Sequence, residues 1–130
     1  MIVVDASVVS EMLLGSPDGR RFAEELIGGS EDLHAPHLLD VEVTHVLRKA
    51  WLLGAMTEAR GQLALTHLEE LPIERHGHLA LLQRTWELRR IISAYDAAYV
   101  ALAEVLGGRL VTRDGRLARS KGHSAVIELW

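Results

Sequence analysis

The sequence predicts an α/β fold, a three-layer αβα sandwich around a central, mainly parallel sheet. Short apolar runs rich in β-branched residues, such as Ile2-Val3-Val4, alternate along the chain with longer segments of helical periodicity. This alternation is typical of parallel strands whose crossover helices cover both faces of the sheet. At 130 residues the chain has the length of one ordinary domain, so we expect residues 1–130 to form a single domain.

The first half begins with a strand over residues 1–4, which Asp5 ends, and residues 6–14 can form a helix. Ser16 followed by Pro17 is typical of an N-cap with proline at the first helical position, and this helix ends near Gly28. The remaining elements predicted in this half are a strand over 33–35 and helices over 37–53 and 57–70.

The second half repeats the alternation. Ser93 is placed to cap a helix rich in alanine and valine, which ends at Gly107. Around it the pattern predicts a strand over 71–75, a helix over 78–91, a strand over 110–112, a short helix over 115–121 and a last strand over 125–129.

Composition excludes several classes of protein. The chain has no cysteine, which rules out disulfides, thiolate metal sites, iron–sulfur clusters and a cysteine nucleophile. With 48% apolar and 25% charged residues it is not a disordered protein. No apolar run approaches the ~18 residues of a membrane span, and the apolar start meets Asp5 without a basic flank. We therefore expect a cytoplasmic protein without membrane contact.

The net charge of −4 by itself disfavours a nucleic-acid partner, but the charge is unevenly distributed. Residues 1–74 hold 13 acids and 5 bases, whereas residues 75–130 hold 5 acids and 9 bases. Five bases fall in one C-terminal stretch, opposed only by Asp114, and they form either a phosphate-binding surface or an ordinary solvated helix face: Arg109, Arg113, Arg116, Arg119 and Lys121.

Two acids follow strands directly. Asp5 comes after the first strand, and Asp114 follows the strand over 110–112. Ligands of parallel sheets bind beyond the carboxyl ends of the strands, so both positions are candidates for a site. A helix cap explains Asp5 equally well, and a turn or a cap explains Asp114 equally well.

Two further acids lie on apolar helix faces. Glu42 has Leu38 and Val46 one turn away, so its carboxylate needs either a cation or an internal salt bridge, for example with Arg48. Asp96 stands three residues after Ser93, which is the spacing of a capping box, yet its helical neighbours are apolar. If Asp5, Glu42, Asp96 and Asp114 converge, their mutual repulsion raises their pKa values, and a hard divalent cation such as Mg²⁺ or Mn²⁺ relieves it. Such a site can activate water against a phosphodiester.

At this point the sequence resembles the PIN domain, and more narrowly the VapC toxins of bacterial toxin–antitoxin pairs. The resemblance covers essentially the whole chain and lies in four stretches: Ile2-Val3-Val4-Asp5-Ala6-Ser7, Leu39-Asp40-Val41-Glu42-Val43, Ser93-Ala94-Tyr95-Asp96-Ala97-Ala98-Tyr99-Val100-Ala101-Leu102-Ala103 and Leu110-Val111-Thr112-Arg113-Asp114-Gly115-Arg116-Leu117-Ala118.

The resemblance implies that the catalytic acids are Asp5, Glu42, Asp96 and Asp114, with Asp5, Asp96 and Asp114 as the metal ligands. It also implies supporting roles for Ser7 and Thr112. Some members of the family carry a further acid shortly after the last one, where this chain has Leu117 and Ala118, so the number of metal ions stays open.

The same resemblance implies a Mg²⁺- or Mn²⁺-dependent endoribonuclease that acts on structured RNA, forms a homodimer and is held by a small VapB-type antitoxin. Arg113 and Arg116, next to Asp114, are candidate contacts to RNA phosphates. Phe22, Leu26, Leu47, Trp51 and Leu52 are candidates for a dimer seam or an antitoxin groove, although each can also be core.

Other functions fit less well. The chain lacks a phosphate-binding glycine loop and a GxSxG nucleophile elbow. His76-Gly77-His78 suggests zinc, but no HExxH or acid-rich partner set accompanies it, and a zinc site is not predicted. The alternatives kept open are a non-catalytic PIN-like module that binds RNA or protein, and a nuclease that acts on DNA.

Overall fold

The computed structural model describes residues 1–130 and contains five strands, seven α-helices and one 3₁₀ turn. In chain order these are β1 (Ile2–Val4), α1 (Ala6–Leu14), α2 (Pro17–Ile27), β2 (Leu33–Pro36), α3 (Leu38–Leu52), α4 (Glu58–Glu70), β3 (Ile73–His76), the 3₁₀ turn (Leu79–Leu81), α5 (Leu82–Glu87), α6 (Ala94–Leu106), β4 (Arg109–Thr112), α7 (Gly115–Ala118) and β5 (Val126–Leu129).

The strands form one sheet in the order β3-β2-β1-β4-β5, and all neighbouring pairs are parallel. The predicted α/β fold with a parallel sheet and covering helices is therefore confirmed. The chain moves outward from β1 through β2 to β3, and then returns to the other side of β1 for β4 and β5. The strand order thus reverses between β1 and β4, and this switch point is where parallel sheets leave a crevice for ligands.

Capping side chains set the helix boundaries that the sequence predicted. Ser16, Thr57 and Ser93 each accept a hydrogen bond from a backbone N–H in the first turn of α2, α4 and α6. At the other ends, Gly15 and Gly107 adopt φ angles of 69° and 64° after α1 and α6, a left-handed conformation that glycine takes without strain.

The core lies on both faces of the central strands. Val3 and Val4 of β1 and Leu110 and Val111 of β4 have no exposed surface, because helices cover the sheet on both sides. This explains why these strands are continuous apolar runs rather than alternating patterns. Phe22 of α2 is also fully buried and packs against the ring of the C-terminal Trp130 at a centroid distance of 5.3 Å.

The predicted helix over 78–91 is wrong in extent. The structure has the 3₁₀ turn and the six-residue α5, followed by turns. Only Leu81 and Leu88 of this segment are buried, and Leu79 is 84% exposed, so no continuous apolar face supports a longer helix. The strand predicted over 71–75 begins later, at Ile73, because the N–H of Leu71 bonds back to His67 and ends α4.

Arg75 ties the edge strand β3 to the helices on one face of the sheet. Its guanidinium binds both carboxylate oxygens of Asp40 on α3, at 3.2 and 3.1 Å, and donates to the carbonyls of Leu68, Leu71 and Ile73. Asp40, which belongs to one of the four resembling stretches, therefore serves the scaffold.

No helix of the protein combines the length and the apolar character needed to cross a membrane.

Candidate active site

Asp5 and Asp114 lie at the switch point, at the ends of adjacent strands. Val4 and Val111 are partners in the β1–β4 register, and the N–H of Asp5 bonds to the carbonyl of Val111 at 3.3 Å. The two acids that follow β1 and β4 therefore lie at one edge of the sheet, as their positions in the sequence predicted.

Asp5 is both a helix cap and a buried acid of this edge. It is 7% exposed, and its Oδ1 accepts from Ser7 N–H at 3.0 Å, Ser7 Oγ at 2.5 Å and Val8 N–H at 3.2 Å. Its Oδ2 accepts from the hydroxyl of Thr112. Burial raises the pKa of Asp5, and these hydrogen bonds offset the rise only in part. The two explanations for Asp5 are therefore compatible.

The hydroxyls of Ser7 and Thr112 connect the ends of the two strands. Ser7 Oγ donates to Asp5 and accepts from the N–H of Arg113 at 2.9 Å. Thr112 Oγ1 donates to Asp5 and accepts from the N–H of Asp114 at 3.0 Å. These hydrogen bonds hold Asp5 and the backbone after β4 in place, and the supporting role of the two residues in catalysis stays a prediction.

Glu42 on α3 has no ion pair with Arg48. Instead, the hydroxyl of Tyr99 on α6 donates to Glu42 Oε1 at 2.7 Å. Burial raises the pKa of Glu42, the tyrosine bond lowers it, and the neighbouring charges of Asp5 and Asp96 raise it further. Tyr99 is 2% exposed and its pKa is raised, so it stays a neutral hydrogen-bond donor. The sequence reading missed this contact, although Tyr99 lies one turn from Asp96.

Asp96 lies in the first turn of α6, where its N–H bonds to Ser93 Oγ at 3.1 Å. Burial raises the pKa of Asp96, the charge of Asp114 raises it further, and Ser93 and Arg116 offset part of the rise. Asp114 caps α7, with its Oδ1 accepting from the N–H groups of Arg116 at 2.8 Å and Leu117 at 3.3 Å. The cap proposed for Asp114 exists, whereas the capping box of Asp96 is only half formed, because its carboxylate accepts no bond from the Ser93 N–H. The charges of the two carboxylates also influence each other.

The donor chemistry of this cluster fits a hard divalent cation. No lysine or arginine forms an ion pair with Asp5, Glu42, Asp96 or Asp114, although every other buried or half-buried acid of the scaffold, such as Asp40 and Glu104, has one. No three of the four bring oxygens within 4.8 Å of one another. That spacing suits an ion such as Mg²⁺, which takes one or two carboxylates directly and keeps several waters.

A cleft of about 620 Å³ opens beside Asp96 and Asp114. Arg116 lines it, is exposed and forms no ion pair, so its guanidinium is free for an anion. The cleft is also lined by Arg89 and Arg90, which the sequence reading did not consider. Their position in the sequence, as adjacent arginines shortly before the N-cap Ser93 of α6, could have indicated that they lie near Asp96.

Arg113 has a different position. Its guanidinium binds Glu11 on α1 at 3.0 Å and Asp18 on α2 at 3.2 Å, and lies 5.7 Å from the ring of Phe22. Its guanidinium is therefore already paired, and the predicted contact of Arg113 with an RNA phosphate stays a prediction. Arg109, another base of the same stretch, is paired with Glu31 and Glu128, so the C-terminal basic stretch is only partly free.

The apolar residues considered for an interface divide into two groups. Phe22, Leu26 and Leu47 are buried in the core. Trp51 and Leu52, near the end of α3, are 53% and 56% exposed. Trp51 and Leu47 line a groove of about 300 Å³ that also involves residues of α4.

A parallel α/β sheet with four carboxylates around its switch point, without basic partners, defines a class: α/β proteins with a carboxylate site suited to a divalent cation. Comparison with known proteins then gives the family. The PIN domain matches residues 2–122. Ribonuclease VapC12 of Mycobacterium tuberculosis is 43% identical over 129 residues, 99% of this chain and 98% of that protein. Ribonuclease VapC9 of the same species is 45% identical over 118 residues, 91% and 89% of the two chains.

Solved structures show the same fold. VapBC2 from Rickettsia felis, bound to a DNA fragment from its promoter, superposes with a TM-score of 0.71 at 16% identity, over 100% of this chain and 99% of that chain. The chain belongs to the PIN-domain family, and within it to the VapC group.

Proposed function

We propose that the protein is a Mg²⁺- or Mn²⁺-dependent endoribonuclease, the toxin of a type II toxin–antitoxin pair, which hydrolyses phosphodiester bonds of RNA. The single observation that carries the proposal is the cluster of Asp5, Glu42, Asp96 and Asp114 at the switch point, whose carboxylates form no ion pair with a lysine or arginine. The full-length relatives named ribonuclease support the choice of RNA.

Asp5, Asp96 and Asp114 would hold the cation, one or two of them directly and the rest through water bound to it. The oxygens of Asp5 are fixed by Ser7 and Thr112, which makes it the most rigid ligand, whereas Asp96 presents oxygens that accept no backbone N–H. When bound, the cation supplies Lewis-acid chemistry: it activates water and stabilises charge at the scissile phosphate. A local gain of positive charge also lets an anionic substrate approach an acidic site.

Glu42 is the proton acceptor in this proposal. Its Oε1 is held by Tyr99, which leaves Oε2 free to take the proton from the attacking water. Burial is the first cause of the raised pKa of Glu42, and a carboxylate made more basic in this way is better suited to act as a general base than an ordinary glutamate.

Arg116 and Arg90 would hold phosphates that flank the scissile bond, because both lie on the cleft that contains Asp96 and Asp114. In-line attack by water then leaves 5′-phosphate and 3′-hydroxyl ends. Arg113 is not included, because Glu11 and Asp18 already occupy its guanidinium.

The proposal includes a homodimer and a VapB-type antitoxin in the cytoplasm. Structures with this fold include a toxin–antitoxin complex from Klebsiella pneumoniae and VapBC2 from Rickettsia felis. The exposed Trp51, Leu52 and Leu53 at the end of α3, with fractional exposures of 53%, 56% and 84%, are the apolar surface we assign to a partner protein.

The test is cleavage of a structured RNA by purified protein, with Mg²⁺ or Mn²⁺ and then with excess EDTA. We expect cleavage to stop in EDTA and to return when the cation is restored, and Asp5→Asn to lose it at every cation concentration. Asp32→Asn is the matched control, because Asp32 is an exposed acid whose side chain has no hydrogen bond.

Full activity in EDTA or in Asp5→Asn would refute the metal-dependent scheme. Cation-induced thermal stabilisation of the wild type without RNA cleavage would favour the non-catalytic binding module. Cleavage of single- or double-stranded DNA in preference to RNA would retain the site and change the substrate.

A further inference from the structure

Three potential metal ligands meet on β2 and β3, in a part of the sheet that the carboxylate cluster does not use. The Nδ1 of His34 lies 3.0 Å from the Nε2 of His76 and 3.5 Å from Oε2 of Glu74. Glu74 Oε1 lies 3.9 Å from His76 Nε2, and all three side chains offer ligand atoms within 4.8 Å of one another. Ligands at 2.0–2.1 Å from a tetrahedral ion are separated by about 3.3 Å, so the group is already close to that arrangement.

The parallel register of β2 and β3 brings these three side chains together. His34 is paired with Glu74 across β2 and β3, and His76 is two residues further along β3, so all three side chains project from the same face of the sheet. Arg75, between the two β3 ligands, projects from the other face, where it binds Asp40. The sequence analysis considered His76 with His78 and could not foresee His34, which lies on the neighbouring strand, 42 residues before His76.

His34 has no other polar partner. It is 5% exposed, its Nδ1 faces His76 and Glu74, and its Nε2 has no hydrogen bond. Two imidazole nitrogens at 3.0 Å repel each other unless one proton lies between them. A metal ion can take the place of that proton, since neutral imidazole is the form that binds metals.

We propose that His34, Glu74 and His76 form a second metal site, for a borderline ion such as Zn²⁺, separate from the carboxylate cluster at the end of β1 and β4. Two histidines and one glutamate are a donor set for zinc, whereas Mg²⁺ prefers oxygen ligands throughout. Three protein ligands leave one position for water, and Glu74, 68% exposed, opens the site to solvent.

A bound ion would fasten the edge strand β3 to β2 at the start of α3. The residues around the ligands already connect these elements: the N–H of His37 bonds to the carbonyl of His76 at 2.8 Å, and His78 Nε2 accepts from the N–H of Leu38 at 2.9 Å. His78 is thus occupied by the backbone, which explains why it is not among the ligands. Helix α3 carries Glu42, so the ion would steady the element that holds one acid of the active site.

The experiment uses untagged protein and Co²⁺, a spectroscopic substitute for Zn²⁺. We expect one equivalent of Co²⁺ to give the visible absorption of a tetrahedral complex, and one equivalent of Zn²⁺ to displace it. Both His76→Gln and Glu74→Gln should weaken Zn²⁺ binding by more than the ~10- to 100-fold loss that follows removal of an outer-shell partner. Both side chains are partly exposed, so these variants should fold.

Two controls separate this site from other histidines and from the carboxylate cluster. His67→Gln changes an exposed histidine of α4 and should bind Co²⁺ and Zn²⁺ as the wild type does. Asp5→Asn combined with Asp96→Asn should also keep the Co²⁺ spectrum. Loss of the spectrum in that double variant, its persistence in His76→Gln, or the absence of stoichiometric binding to the wild type would each overturn the proposal.

Discussion

Helix α6 carries two acids whose environments are opposite. Glu104, in the last turns, accepts from Nε and Nη2 of Arg84 at 2.8 and 3.0 Å and from Ser124 N–H at 2.9 Å. These contacts, above all the Arg84 bonds, lower the pKa of Glu104 to about 2. Asp96, in the first turn, has no ion pair, and burial together with Asp114 raises its pKa.

The helix dipole alone would shift the pKa values of these two acids in the opposite directions. The dipole favours an acid at the N-terminus and disfavours one near the C-terminus, by ~0.3–1 kcal/mol. Here the side chains around each acid outweigh that effect. Where an arginine pairs with an acid, as Arg84 does with Glu104, the acid links two parts of the scaffold. Asp96 instead lies near Asp114 and forms no ion pair. An ion pair with arginine, rather than the position on the helix, therefore distinguishes the scaffold acid Glu104 from the candidate site acid Asp96.

The largest expected effect is on activity. Asp96→Asn should reduce RNA cleavage at least ~100-fold, or about 2.7 kcal/mol, because it removes a proposed metal ligand. Glu104→Gln, on the same helix, should cleave RNA at the wild-type rate at a temperature where the variant is folded. The reason is that the Glu104 carboxylate forms its hydrogen bonds with Arg84 and Ser124, away from the four acids. Initial rates with saturating Mn²⁺ measure both variants. Equal losses in the two variants would mean that the activity follows the integrity of α6 rather than the carboxylate cluster.

A smaller effect concerns stability. Glu104→Gln should lower the free energy of unfolding by about 1.5 kcal/mol at pH 7, since it removes charged hydrogen bonds to Arg84, a side chain that is 35% exposed and so partly screened. The folded-state pKa of Glu104 is depressed, so its contribution is fully present above 4.5 and is lost as pH falls toward about 2. Urea unfolding at pH 7 and pH 3 measures this. A difference between variant and wild type that is the same at pH 3 as at pH 7 would contradict it.

The fold followed from local signals. The strand Ile2-Val3-Val4 and the caps Ser16 and Ser93 were identified because each depends on residues near it in the chain. The segment 78–91 was misjudged because its periodicity suggested a long helix, whereas the neighbouring elements cover only Leu81 and Leu88. The extent of a helix in that segment depends on what packs against it, which the sequence does not contain.

The four acids were found in the same way, since each follows a strand or interrupts an apolar face. The contacts between distant residues, in this cluster and in the histidine pair on β2 and β3, were not. Tyr99 reaches Glu42 across 57 residues, and His34 reaches His76 across 42. Tertiary packing also decides which arginines form ion pairs: Arg113 lies next to α1 and binds Glu11, whereas Arg116 has no acid within ion-pair distance. Pairings between distant residues are set by the tertiary fold.

The smallest expected effect is a gain. Without divalent cations at pH 7, Asp96→Asn should raise the melting temperature, because burial and the charge of Asp114 disfavour the ionised form of Asp96. We expect about 2 °C, the shift that ~0.5 kcal/mol produces in a domain of this size. A raised folded-state pKa means that the folded protein binds the proton more tightly than the unfolded chain does. The stability linked to Asp96 is therefore present below 3.8 and lost as pH rises through the folded-state pKa. The asparagine variant has no such loss, and its advantage should shrink as the pH approaches 3.8.

Asp18→Asn is the matched control for this last measurement. Asp18 also lies in the first turn of a helix, α2, but it faces Arg113 at 3.2 Å and Arg21 at 3.7 Å. Because it is paired and 54% exposed, its replacement should give a small loss of stability, at most ~1 kcal/mol, rather than a gain. If both variants lost stability at pH 7, the helix dipole would govern both acids, and the contrast between paired and unpaired carboxylates would not hold. If only Asp96→Asn gained, and Mg²⁺ stabilised the wild type more than that variant, the charge at the first turn of α6 would be the one that a cation neutralises.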